Sequence, residues 1–197
     1  MNVVYLIRHS WTNENKIHLI QGRQDYKLCE EGISFAYEKA KEYKEKGLEF
    51  DYIYSSPLSR ALDTAKIFKE VFNFPKDIII DQGLIEREFG EAEKTIIDDK
   101  VYERIMNNEI KGMETNEELE ERVYNAINNI VSKYDNKRIL IVTHSHTIKG
   151  MLCYLDERIR MESYLRNVTI TTLKYSDNKY EIIDYNKYAD EGDKWKI

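Results

Sequence analysis

Short apolar runs alternating with long amphipathic segments constrain this chain more than any other feature. Val3 to Ile7, Tyr52 to Tyr54, Ile78 to Ile80 and Ile139 to Val142 are runs of the kind expected for strands buried on both faces of a parallel sheet. Between them the hydrophobic period lengthens. Glu30 to Lys46 sets Ile33, Ala36, Tyr37, Ala40 and Tyr43 on one helical face, and Leu58 to Phe72 repeats Leu62, Ala65, Ile67, Phe68 and Phe72. Glu117 to Tyr134 does the same with Leu119, Val123, Ala126, Ile127 and Ile130. Strands alternating with helices predict an α/β fold, a three-layer α/β/α arrangement around a mostly parallel sheet. Val168 to Tyr175 and Tyr180 to Tyr185, split by Ser176-Asp177-Asn178-Lys179, add an antiparallel hairpin at the sheet edge. Glu91 to Gly112 is polar and weakly periodic, and reads as an inserted cap or lid with some helix. A length of 197 residues suits a single domain over 1–197.

Composition excludes several classes of function. Hydrophobic residues at 42% and charged residues at 34% describe a globular chain, and no segment approaches the ~20 apolar residues of a membrane span. Met1 to Ile7 lacks a basic start and meets Arg8 too soon for a signal peptide, so a cytoplasmic location is expected. Cys29 and Cys153 lie far apart, outside any ligand spacing, and read as reduced thiols without a zinc site. A net charge of -6 argues against nucleic acid as a partner. It leaves room for a small phosphorylated substrate, which responds to the local field of a cleft.

Ligands of open α/β sheets gather beyond the carboxyl ends of the strands. Arg8-His9 follows the first strand, Ser55-Ser56-Pro57-Leu58-Ser59-Arg60 the second, and Thr143-His144 the one at Ile139. With Ser56 as cap and Pro57 at the first helical position, Arg60 sits about one turn into a helix whose amino terminus attracts anions.

These segments resemble the histidine phosphatase superfamily, which includes the cofactor-dependent phosphoglycerate mutases. The signature RHGxTxxN appears as Arg8-His9-Ser10-Trp11-Thr12-Asn13-Glu14-Asn15 and continues through Gln21-Gly22, Asp25, Leu28 and Gly32. Ser55 to Ala65 resembles SSxLxRAxxTA, and Leu84 to Gly90 resembles the acid-bearing LxExxxG. Gly112 to Thr115 with Arg122-Val123, Ile141 to His144, and Asn167 to Ile170 complete six matches in the family order.

The resemblance implies a phosphoglycerate mutase-like fold and a phosphatase that hydrolyses small phosphomonoesters, with no cofactor and no metal. His9 would be the nucleophile and Glu86 the general acid and then base. Arg8, Arg60 and His144 would surround the phosphoryl oxygens, with Asn15, Gln21 and Gly22 as further substrate-binding residues. His18 and His146 are given no chemistry, and Glu88, Glu91 and Glu93 read as an exposed acidic stretch.

Three departures from the pattern bear on the pocket. Ser10 and Ser145 stand where glycines usually follow the two histidines, which narrows the pocket or adds a hydroxyl donor. Ala92-Glu93-Lys94 replaces the common WEG, removing an aromatic from the rim. A phosphoglycerate mutase is the alternative, favoured by Glu86-Arg87 and disfavoured by Gln21-Gly22 and by Arg104 being the only arginine in the inserted segment. A non-catalytic phospholigand-binding protein is a third reading, which the presence of both His9 and Glu86 disfavours.

Overall fold

A computed structural model describes residues 1–191. Its sheet of six strands runs in the order β3-β2-β4-β1-β5-β6, where β1 is Asn2–Arg8, β2 Tyr52–Ser55, β3 Ile79–Ile80, β4 Arg138–Thr143, β5 Ile170–Ser176 and β6 Lys179–Lys187. β1, β2, β3 and β4 are mutually parallel, while β5 and β6 run antiparallel at one edge. The helices are α1 (Asn13–Lys16), α2 (Glu30–Glu45), α3 (Ser59–Val71), α4 (Asp99–Met106), α5 (Asn116–Val131) and α6 (Ser145–Leu155).

Alternation along β1 divides the core in two, because successive side chains of a strand leave opposite faces of the sheet. Val3, Tyr5 and Ile7 pack with Ala36, Ala40 and Tyr43 of α2 and with Ala61, Ala65 and Phe68 of α3. Val4 and Leu6 pack with Leu119, Val123 and Ile127 of α5 and with Ile148, Met151 and Leu152 of α6. Both layers are closed to bulk solvent, with Tyr5, Leu6, Ile7 and Ile141 at 0% exposure.

Several sequence expectations change in detail. β3 is not buried: Ile79 is 39% and Ile80 51% exposed, because the strand lies at the sheet edge and pairs on one side alone. α6 is absent from the sequence reading, although Ile148, Met151 and Leu152 have helical spacing. α3 starts at Ser59, so Arg60 is its second residue and Pro57 precedes it. Ser56 does not cap this helix, since its Oγ accepts from the Leu58 amide at 3.3 Å. The Asp25 carboxylate does so instead, taking the Ser59 amide at 2.7 Å and the Ser59 hydroxyl at 2.8 Å. The hairpin turn places Asp177 and Asn178 at φ 51° and 59°, the left-handed pair that a two-residue connection requires. α5 opens with the capping box of Thr115 and Glu118.

The segment 91–112 contains α4, capped by Asp98. It carries a small apolar cluster of its own, in which Ala92, Ile105 and Ile110 meet Ile20 and Phe89. A bridge from Leu19 to Ile96 ties the segment to the loop after α1, and one from Phe89 to Met113 closes its base.

Candidate active site

Strand register assembles the site. Arg8 of β1 is level with Thr143 of β4, and Ser55 of β2 with Val142, so the residues following the three strands meet beyond the carboxyl ends of the sheet's central strands. A cavity of about 340 Å³ opens there, and Arg8, His9, Asn15, Gln21, Gly22, Arg60 and Glu86 all line it. His144 does not reach its wall. It is fully buried behind His9, with ring centroids 5.2 Å apart and planes at 61°.

The backbone fixes the tautomer of His9. Nδ1 lies 2.7 Å from the Ser10 carbonyl oxygen, which can only accept, so Nδ1 carries the hydrogen and Nε2 keeps its lone pair. The Asn167 side chain donates to the His9 carbonyl at 2.8 Å, and Val168 donates its amide to the Arg8 carbonyl at 2.9 Å. Val168 holds φ 58°, an uncommon conformation for a β-branched residue, so the loop that positions His9 is strained.

Arg60 is aimed by a loop. One terminal nitrogen donates to the Gly22 carbonyl and the other to the Gln24 carbonyl, each at 2.7 Å. Glu93 holds that loop through the Arg23 amide at 3.0 Å and the Gln24 side chain at 2.7 Å. Glu93 is therefore half-buried and structural rather than part of an exposed acidic stretch, whereas Glu88 and Glu91 are exposed. Gly22 cannot gain a side chain: its φ is +50° and a Cβ would sit 2.1 Å from a Glu93 carboxylate oxygen. Arg8 donates to the Leu165 carbonyl. Burial pushes Arg60 down to about 10, which leaves it cationic at neutral pH.

Glu86 sits at the open amino terminus of α6, whose first residues have no cap from their own chain segment. One carboxylate oxygen accepts from the Arg87 amide at 2.9 Å and the Thr147 amide at 3.1 Å, and the other from the His146 amide at 3.3 Å. Those bonds and the helix dipole hold the group at the cavity wall. Ser10 departs from expectation, because its hydroxyl donates to the Gly32 carbonyl at 2.6 Å and stays off that wall. Ser145 does line it, as do His18 and His146. The roles of Asn167 and Glu93 escaped the sequence reading. Asn167 opens the family-like segment Asn167 to Ile170, but nothing in either residue's local context signals a partner so far away in the chain.

His9, His144 and His146 are all held well below the ordinary imidazole range, chiefly by burial. Next come Arg60 and Arg8 for His9, Arg60 and His9 for His144, and Lys149 for His146. Unfolded histidine protonates near pH ~6.5, so below that pH the unfolded chain binds more protons and stability falls with pH. Each imidazole contributes up to ~1.4 kcal/mol per pH unit. The urea midpoint should drop between pH 7 and pH 5, less steeply in His146→Gln; a slope unchanged by that substitution would refute the assignment for His146.

A family model described as the histidine phosphatase superfamily (branch 1) matches residues 4–188. The chain is 31% identical over 189 residues to the "Uncharacterized phosphatase PhoE" of Bacillus subtilis (strain 168), covering 94% of this chain and 95% of that one. Among solved structures, a phosphoserine phosphatase variant from Entamoeba histolytica in complex with phosphoserine is 25% identical, with a TM-score of 0.80 and full coverage of both chains. The phosphoglycerate mutase of Bacillus anthracis str. Sterne shares the fold, at 22% identity and a TM-score of 0.83 over 93% of this chain and 92% of that one.

Proposed function

The chain belongs to the histidine phosphatase superfamily, and from that premise we propose that it hydrolyses small phosphomonoesters through a phosphohistidine on His9. One observation carries the reading: the Ser10 carbonyl fixes Nδ1–H of His9 and leaves Nε2 basic, in a ring that lines a cavity with two arginines. Burial keeps that imidazole neutral, the form a nucleophile requires.

Nε2 attacks phosphorus as the ester P–O bond breaks, and Glu86 gives its proton to the departing oxygen. Glu86 then takes a proton from water, whose oxygen bonds to phosphorus as the P–N bond breaks. Arg8 and Arg60 balance the ~-1.5 to -2 charge of the phosphoryl group, and Asn15, Gln21 and Gly22 line its surroundings. Ser56 accepts the Leu58 amide and can give its hydroxyl hydrogen to Nε2 of His144 at 2.7 Å, which leaves Nδ1 of His144 as the protonated, unpartnered nitrogen of the ring packed against His9. Much of the rate of such a transfer comes from positioning and charge stabilisation.

A mutase would need a further grip on its substrate, and Arg87 is committed elsewhere. It donates to the Glu114 carbonyl at 2.8 Å and to Asn108 at 2.9 Å, and it is fully buried away from the cavity wall. The Entamoeba histolytica phosphoserine phosphatase has been crystallised with phosphoserine and with 3-phosphoglyceric acid, which makes small carboxylate-bearing esters the first substrates to assay. Among the described residues no helix is long and apolar enough to cross a membrane. The reading places the enzyme in the cytoplasm, where charged phosphate esters are retained.

Phosphate release across a panel of phosphorylated metabolites, with 3-phosphoglycerate isomerisation followed alongside, tests the proposal. Because arginines supply the positive charge, activity should persist in EDTA and fall with vanadate. Loss in EDTA that a divalent cation restores would overturn the metal-independent route.

A further inference from the structure

α6 packs on the sheet through Ile148, Met151 and Leu152, yet carries a lysine among them. Lys149 is only 7% exposed, and what remains accessible lines the cavity. Among the described residues it has no hydrogen bond and no ion pair. An unpaired ammonium on so enclosed a side chain is costly to keep, and an apolar residue would fit such a position at lower cost. One helical turn earlier, His146 also lines the cavity, with its Nε2 buried and unpartnered. The two guanidinium groups nearer His9 are already aimed, Arg60 by the carbonyls of Gly22 and Gln24 and Arg8 by that of Leu165.

We propose that Lys149 is a specificity-determining residue for the leaving group, its ammonium receiving a carboxylate carried by the departing alcohol while the phosphoryl end lies against Arg8 and Arg60. The assignment rests on the phosphatase reading. A single point charge matches a monoanion. Glu162, an exposed residue of the same cavity lining and close enough to act on Lys149, disfavours a dianion such as a second phosphate. Ile97, Tyr102, Ile105 and Met106, which also line the cavity, offer only an apolar surface and one phenol. Lys149 therefore selects among small esters by the charge at the end away from phosphorus.

Two esters that differ by one carboxylate decide the matter: 3-phosphoglycerate and glycerol 3-phosphate. The quantity read is the ratio of their kcat/KM values, from which their common phosphoryl chemistry cancels. Lys149→Met should lower that ratio by about 10- to 100-fold, as expected for a charged hydrogen bond, and Lys149→Arg should restore most of it. Burial brings Lys149 down to about 8 against the opposing pull of Glu86, Cys153 and Glu162, with Arg8 and His146 also near. In the parent enzyme the ratio should therefore decline from pH 7 to pH 9. A ratio unchanged in folded Lys149→Met would overturn the proposal, and if that variant does not fold, a ratio flat with pH in the parent would do so. If neither ester is hydrolysed, the phosphatase reading fails separately, and the same ratio is then taken from calorimetric affinities on His9→Ala. There, equal affinities for the two esters would overturn the subsite, and a preference for the carboxylate ester that Lys149→Met abolishes would establish it.

Discussion

Replacing His9 with alanine is expected to lower phosphate release by at least ~10⁴-fold, about 5.5 kcal/mol of barrier, with an unchanged far-ultraviolet circular dichroism spectrum. The size follows from the route, since without Nε2 there is no phosphoenzyme and water must attack the ester directly. The fold should tolerate the change. The imidazole contributes one hydrogen bond, from Nδ1 to the Ser10 carbonyl, worth ~1 kcal/mol. It lies in a region already dense with buried cations. His9→Asn, which can keep a donor near that carbonyl, separates lost chemistry from lost support. Brief exposure to labelled ester, quenched in alkali, should leave acid-labile phosphate on the parent protein and none on either variant. Substantial turnover in well-folded His9→Ala would remove His9 as the nucleophile.

Glu86→Gln should divide substrates by their leaving groups. An alkoxide needs a proton to depart, whereas p-nitrophenolate is stable as an anion, so loss of the acid should slow phosphoenzyme formation from alkyl esters ~10²-fold or more beyond the effect on the aryl ester. The amide can be accommodated. Its oxygen can replace the carboxylate oxygen that accepts from Arg87 and Thr147, which leaves the 3.3 Å contact with the His146 amide as the one lost. Water would then lack its base, so the aryl ester should give a burst followed by slow turnover, with phosphate trapped on His9. Rapid quench resolves the two steps. Equal slowing of both first steps without trapped phosphoenzyme would limit Glu86 to shaping the cavity and pass the proton to another acid.

The amino-acid sequence by itself determined the layers and the places of the candidate site residues, because both are written in local pattern. Apolar runs against helical periods defined β1, β2, β4, α2, α3 and α5, since burial on a pleated strand and on a helix demand different spacings. Ordered motifs placed Arg8, His9, Arg60, Glu86 and His144 at or near strand ends. What those motifs could not carry was the set of partners that reach across the chain. Asp25 capping α3, Glu93 bracing the loop that grips Arg60, and Asn167 holding His9 are contacts between residues 34, about 70 and 158 positions apart. The edge exposure of β3 and the partnerless ammonium that the largely buried Lys149 turns to the cavity are likewise properties of the packed molecule. Local periodicity reports which face of an element is apolar; only tertiary structure decides what that face, or a polar residue set within it, finally meets.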